Sequence, residues 1–224
     1  MYRGIDVSQH NGIIDWKKVK NDKIDFAIIR AGYGQNNVDT MLYNNINGCK
    51  NNNIPFGLYW FSYALNENMA IKEANYIADI ADKYYPDFPL VFDWEYASEE
   101  WANKREIVFD NDGRKKIALA FLIRIEERGY TPMLYSNPDY LNKGFKELAN
   151  KYDFWLALWA KNKPTIKHEI WQATTKGKVE GIGTDVDINY SDIMYNRKED
   201  INMNESEKNE FIRELLAIYK KYIH

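Results

Sequence analysis

With 224 residues, 45% of them hydrophobic and 15% aromatic, the chain can bury a sizeable core and fits a single domain of the α/β barrel size. Thirty basic residues against thirty-three acidic ones leave a net charge of -3 with no basic stripe, which argues against a nucleic-acid binder held by phosphate contacts. Cys49 stands alone, His10, His168 and His224 are too scattered for a zinc site, and no run approaches the ~18 apolar residues of a membrane span, so no disulfide framework, metal, cofactor or membrane insertion is expected.

In chain order, Tyr2-Arg3-Gly4-Ile5-Asp6 follows Met1 without the charged-then-apolar leader of an export signal, which predicts synthesis in the cytoplasm. Arg3 to Ser8 reads as a first strand, Asp15 to Asn21 as a helix, Phe26 to Ala31 as a strand and Asp39 to Asn53 as a helix carrying Cys49 as a bystander. After a strand from Phe56 to Ala64, Asn66 caps a helix in which Ala70, Ala74, Ile77 and Ala81 recur at helical spacing, ending before Pro86. Leu90 to Glu95 is a strand. The helix assigned to Asp110 to Arg128 carries Ile117, Phe121 and Ile125 on one stripe and stops at Arg128-Gly129. Strands at Met133 to Ser136, Phe154 to Trp159, Ile170 to Ala173 and Val186 to Tyr190 follow, with a helix at Pro138 to Ala149. Strands alternating with helices imply βα units around a parallel sheet, while the short late connections exclude a regular eightfold repeat. The expected fold is α/β: a single irregular β/α (TIM-like) barrel over residues 1 to 195, with about eight strands and five or six helices. Residues 196 to 224 read as a polar linker and then a helix from Ser206 with Phe211, Leu215, Leu216, Ile218, Tyr219 and Tyr222 on a broad apolar stripe. That helix is expected to cover part of the barrel, with self-association or docking of a further module as alternatives.

The chemistry concentrates at Asp93-Trp94-Glu95, directly after the apolar run Pro89-Leu90-Val91-Phe92. Alternate strand residues face the same way, so the two carboxylates share a face with backbones ~6.6 Å apart. Such a pair raises the pKa of one member, as an acid catalyst working near neutrality requires. Barrel chemistry sits at strand ends, where Asp6 and Asp187 also fall on the first and last strands, neighbours in a closed barrel. Four carboxylates would then ring one pocket. Taken singly, each also fits a structural role: Asp6 as a cap, Asp185 or Asp187 in an ion pair, and Gly4 as a mark of close strand packing.

Seven Trp, seventeen Tyr and ten Phe exceed what a core of this size needs, and some rings are expected to line a groove suited to sugars. Tyr59, Phe61 and Tyr63 alternate with Trp60 and Ser62, and period alone leaves Tyr59 and Trp60 as alternative platforms. Tyr135, Trp159 and the pair Trp171-Gln172 repeat the arrangement on later strands.

Gly4-Ile5-Asp6-Val7-Ser8, Asp15-Trp16, Ile29-Arg30-Ala31, Gly57-Leu58-Tyr59, the Asp93-Trp94-Glu95 strand, Leu134-Tyr135-Ser136, Trp171-Gln172 and Val186-Asp187-Ile188-Asn189 together resemble glycoside hydrolase family 25, in order, from Tyr2 to Tyr190. The resemblance implies an irregular β/α barrel and a groove for peptidoglycan. It implies an N-acetylmuramoylhydrolase activity, with Glu95 as general acid, Asp93 beside it, and Asp6 and Asp187 completing the acidic ring. Tyr59, Tyr135, Trp159 and Gln172 match positions that resemble substrate contacts. Trp60 stands where many members carry a histidine, and the last helix has no counterpart in the family's catalytic domain.

The implied reaction is hydrolysis of the β-1,4 bond between N-acetylmuramic acid and N-acetylglucosamine, with Glu95 kept protonated by its aromatic surroundings and by the charge of Asp93. An enzyme of this kind acts on the bacterial cell wall, either as a phage lysin released through a membrane lesion or as a shortened secreted enzyme. A catalytically silent glycan-binding module is the alternative of a different class. A metal-dependent deacetylase is a third, disfavoured by the scarcity of His.

Overall fold

The computed structural model describes residues 1–196. The expected linker and C-terminal helix, with their role in self-association, lie outside the described residues. Nine strands form one sheet: β1 (Tyr2–Val7), β2 (Phe26–Tyr33), β3 (Asn37–Val38), β4 (Phe56–Phe61), β5 (Leu90–Asp93), β6 (Pro132–Ser136), β7 (Asp153–Ala157), β8 (Ile170–Gly177) and β9 (Val186–Ser191). Eight of them close into a barrel in the order β1, β2, β4, β5, β6, β7, β8, β9, and β3 hangs on β2 as a short hairpin strand outside the ring. The eight expected strands are therefore all present. Neighbours are parallel up to β8, but β9 runs antiparallel to both β8 and β1. The expected parallel sheet is corrected at this strand. Residues 178–185 are all that connect β8 to β9, too short for a parallel crossover, so the chain turns back at the barrel mouth.

Alternation divides the strands into two apolar layers. Phe26, Ile28, Val91, Met133, Trp155 and Ile170 fill the barrel interior with Phe88, while Ala27, Ile29, Leu58, Leu90, Phe92, Leu134 and Leu156 pack outward beneath the helices. A Cβ on Gly4 would lie 2.4 Å from the Phe26 ring, so this glycine does mark close packing at the β1–β2 seam.

Helices α1 (Trp16–Asn21), α2 (Leu42–Asn51), α3 (Glu67–Tyr84), α4 (Tyr96–Asn103), α5 (Asn111–Glu127), α6 (Pro138–Tyr140) and α7 (Lys146–Lys151) form the outer layer. Asn66 caps α3 by accepting from the Met69 N–H at 3.0 Å, and Tyr85, at φ +53°, ends it before Pro86. Asp110 caps α5 through the Gly113 N–H at 2.7 Å. The expected helix from Pro138 is broken: a π turn at Leu141–Phe145, with Gly144 at φ +120°, separates α6 from α7.

α4 is absent from the sequence reading. It begins at once after Glu95, whose N–H donates to Ser98 Oγ at 3.2 Å. Only Ser98 and Ala102 of its residues are buried, so it carries no apolar stripe. Its anchor is electrostatic: the largely buried Arg114 of α5 pairs with Glu99 and donates to the Phe109 carbonyl at 2.8 Å and to Asn111 Oδ1 at 3.1 Å. Arg114→Ala, which leaves Glu99 without its counter-charge, is expected to destabilise the fold by about 3 kcal/mol in urea titrations.

Candidate active site

The β1–β9 register sets Asp6 directly opposite Asp187, and β9, because it is reversed, delivers Asp187 to the mouth from its start rather than its end. β5 ends at Asp93, the next residue turns outward as the buried Trp94, and Glu95 returns to the inner face. All four carboxylates line one cavity of about 480 Å³. Tyr59, Phe61, Tyr135, Trp155, Trp159 and Gln172 line it as well, with Arg30 on the β2 side. Trp60 does not. It is fully buried beneath α3, against Tyr76 at 5.7 Å between ring centroids, with its indole N–H donated to the Gly34 carbonyl at 3.0 Å. Of the two alternative platforms, the register leaves Tyr59 inside.

A hydrogen-bonded chain fixes Asp6. Its Oδ2 accepts from Asn189 Nδ2 at 2.7 Å and from Gln172 Nε2 at 3.0 Å. The opposite ends of both amides are occupied: Trp155 Nε1 donates to Asn189 Oδ1 at 2.8 Å, and the Tyr135 hydroxyl and Trp159 Nε1 donate to Gln172 Oε1 at 3.0 and 3.4 Å. Each amide is thereby oriented with its N–H₂ towards Asp6, an arrangement that favours the ionised carboxylate. Burial raises Asp6, and these donors oppose the rise. Asp187 is pushed up to about 9 by burial and then by the charge of Asp6, to which it is hydrogen-bonded, so the proton shared by this pair rests on Asp187.

Glu95 is raised to about 7, first by burial and then by the charge on Asp6. Asp93 is raised well above the usual carboxylate range by burial, then by Glu95 and Asp6, against the opposing Arg30, and its Oδ1 has no hydrogen-bond partner among the described residues. The expectation that an Asp93 charge keeps Glu95 protonated is corrected here. The charge acting on Glu95 is that of Asp6, because Asp93 is itself driven towards its neutral form.

Arg30 is held by Asp39, Nε to Oδ2 at 2.7 Å, and Asp39 also accepts from the backbone N–H groups of Gln9 and Met41. Arg30, Trp155 and Asn189 were not among the expected site residues. Period two signals Asn189, which follows Asp187 by two positions and so shares its face. Asp185 and His10 line the rim, and among the described residues no group of three or more His, Cys, Asp or Glu is placed to hold a metal.

Two measurements test this charge arrangement. Asp6→Asn removes the charge that raises Glu95, so the Glu95 pKa should fall and the alkaline limb of the pH–activity profile should move to lower pH. The stability effect has the opposite ordering in pH: a carboxyl raised from 4.5 to about 7 on folding contributes stability below its unfolded value, and this is lost as pH rises through the folded value. Glu95→Gln should therefore gain stability over the wild type at pH 8 relative to pH 4, by on the order of 2 kcal/mol after allowance for its part-exposed edge, in paired thermal melts.

Comparison with known proteins gives the family. Residues 5–182 match the family described as Glycosyl hydrolases family 25. YegX of Escherichia coli O6:H1, an uncharacterized protein, is 28% identical over 196 residues, covering 83% of this chain and 68% of its own length. Lysozyme M1 of Streptomyces globisporus is 28% identical over 202 residues, covering 84% of this chain and 66% of its own. Among solved structures, the modular autolysin LytC of Streptococcus pneumoniae superposes with a TM-score of 0.73 at 30% identity over 84% of this chain, and it has also been solved with a synthetic peptidoglycan ligand. This chain spans 46% of that autolysin's length. With a family match across most of its length and the same barrel architecture, the chain belongs to glycosyl hydrolases family 25.

Proposed function

We propose that the chain is a muramidase that hydrolyses the β-1,4 bond between N-acetylmuramic acid and N-acetylglucosamine in peptidoglycan, and so lyses the bacterial cell wall. The observation that carries this reading is Glu95, buried and raised to about 7, in the same cavity as the amide-held Asp6. Glu95 gives its proton to the glycosidic oxygen as the C1–O bond breaks, and the electron pair of that bond leaves with the oxygen. The Asp6 carboxylate stabilises the positive charge that develops at C1. Water supplies the hydroxyl at C1, and its proton restores Glu95. Tyr59, Tyr135, Trp159 and Gln172 serve as the sugar contacts of the cavity. The lysozyme and autolysin relatives support the substrate class, and no helix of the described residues is long and apolar enough to cross a membrane. Action at the wall as a phage lysin released through a membrane lesion, or as an exported enzyme, follows from the same reading.

Purified peptidoglycan, digested and then reduced with borohydride, should yield reduced muramic acid ends by mass spectrometry with the wild type. Glu95→Gln should lower the rate by ~10² or more. Sedimentation with the wall and no new reducing ends would instead identify a glycan-binding module.

A further inference from the structure

Glu73, on α3, is a fully buried carboxylate outside the acidic cavity. Its partners are donors from two loops at the barrel mouth. The Ser62 hydroxyl donates to Oε2 at 2.6 Å, and the Tyr63 N–H and Gln35 Nε2 donate to Oε1 at 3.1 and 3.3 Å. Gln35 lies in the turn between β2 and β3, and Ser62 and Tyr63 follow the end of β4. The cations on the elements packed against α3 are paired elsewhere: Arg30 of β2 with Asp39, Arg114, Lys115, Lys116 and Arg124 of α5 with Glu99, Glu147, Asp112 and Glu127, and Arg128 with Asp79 and Asp82. Lys72, beside Glu73 on its own helix, is exposed. The charges of Asp93 and Glu95 act on the Tyr63 hydroxyl rather than on Glu73.

The segment that Glu73 holds also supports the catalytic acid. Phe61 lines the acidic cavity, the Ser62 N–H donates to the Asp93 carbonyl at 2.9 Å, and the Tyr63 ring centroid lies 5.1 Å from that of Trp101 on α4. Glu95 caps that same helix. A displacement of residues 61–63 therefore reaches the Asp93-Trp94-Glu95 stretch from both ends, through a backbone hydrogen bond at one and through α4 at the other.

The hydrogen bonds around Glu73 are complete only for the ionised carboxylate. Oε1 faces two N–H donors, so a proton placed there expels one of them. A proton on Oε2 must point at Ser62 Oγ, which already accepts from the Ala64 N–H at 3.2 Å. Ser62, itself fully buried, then loses the acceptor for its own proton.

We propose that Glu73 is a positioning residue for the catalytic acid: its carboxylate holds residues 61–63 against α4 and the end of β5, and uptake of a proton loosens that hold. The inference rests on the reading of Glu95 as the acid. Burial raises Glu73 to about 7 against its three hydrogen bonds, so the hold changes strength in the range where Glu95 titrates. Activity needs Glu73 ionised and Glu95 protonated, and is confined to a band around neutrality.

The test compares wild type, Glu73→Gln and Ser62→Ala in hydrolysis of purified peptidoglycan across pH. Glu73→Gln keeps the neutral geometry at every pH, its amide N–H₂ donating to Ser62 as the protonated acid would. The ratio of wild-type to Glu73→Gln kcat should lie near one at about pH 5 and rise to about tenfold at about pH 9. A ratio independent of pH means a purely structural role and overturns the proposal. Ser62→Ala removes a donor that favours the ionised form, so the acidic limb should move to higher pH. A limb left in place overturns the proposal even where Glu73→Gln fails to fold. Amide exchange at Tyr63 gives a readout independent of catalysis. Its protection should fall about fivefold as the wild type is taken from about pH 8 to about pH 6, fall at higher pH in Ser62→Ala, and stay level in Glu73→Gln. The same course in all three proteins overturns the proposal. If the wild type releases no reducing ends, the muramidase reading has failed, and the Tyr63 exchange decides separately whether Glu73 holds this segment.

Discussion

The two amide donors on Asp6 are the constraint from which the rest of the site follows. Four carboxylates in one cavity cannot all ionise, and the order in which they hold protons depends on where hydrogen-bond donors are placed. Asn189 and Gln172 give Asp6 that advantage, and each is locked in orientation by an indole or phenol behind it. Once Asp6 is the acceptor, Asp187 takes the shared proton, and the charge on Asp6 adds to the burial that already lifts Glu95 towards neutrality. Glu95 is therefore raised by its burial and by a charge from across the cavity, on the first strand, rather than by its neighbour two positions away.

Closing the barrel makes this possible. Asp6, Gln172, Asp187 and Asn189 come from three strands, β1, β8 and β9, that meet only because β9 turns back to join the two edges. Glu95 is placed by a different device, a helix that starts immediately behind it and is held by the Arg114–Glu99 ion pair more than by apolar burial. One half of the site thus depends on sheet register and the other on an electrostatic anchor in the helical layer.

Much of this was legible in the sequence, because period two is strict on a strand. Asp93 and Glu95 share the inner face as expected, and the first and last strands do bring Asp6 and Asp187 together. The expectation about Asp187 assumed a parallel last strand; the pairing survives because the register, not the direction, sets which residues face each other. Tyr59 and Trp60 were indistinguishable for a physical reason: both faces of the strand are buried, one in the barrel interior and one beneath helices, so neither face carries a polar signature. α4 escaped because its buried residues are a serine and an alanine. The charge order was illegible, since it depends on the amides of residues 172 and 189, which reach Asp6 only through the closed barrel.

The reversal of β9 also decides where its last residues lie. A parallel last strand would have finished at the rim; β9 instead runs down to the floor, where Tyr195 packs on Phe88 at 5.0 Å and its hydroxyl donates to Asp153 at 2.8 Å. β1 starts from the same floor at Tyr2, paired with Ser191. Both points lie on the face opposite the carboxylates, so the seam that closes the barrel keeps its anchoring contacts away from the mouth.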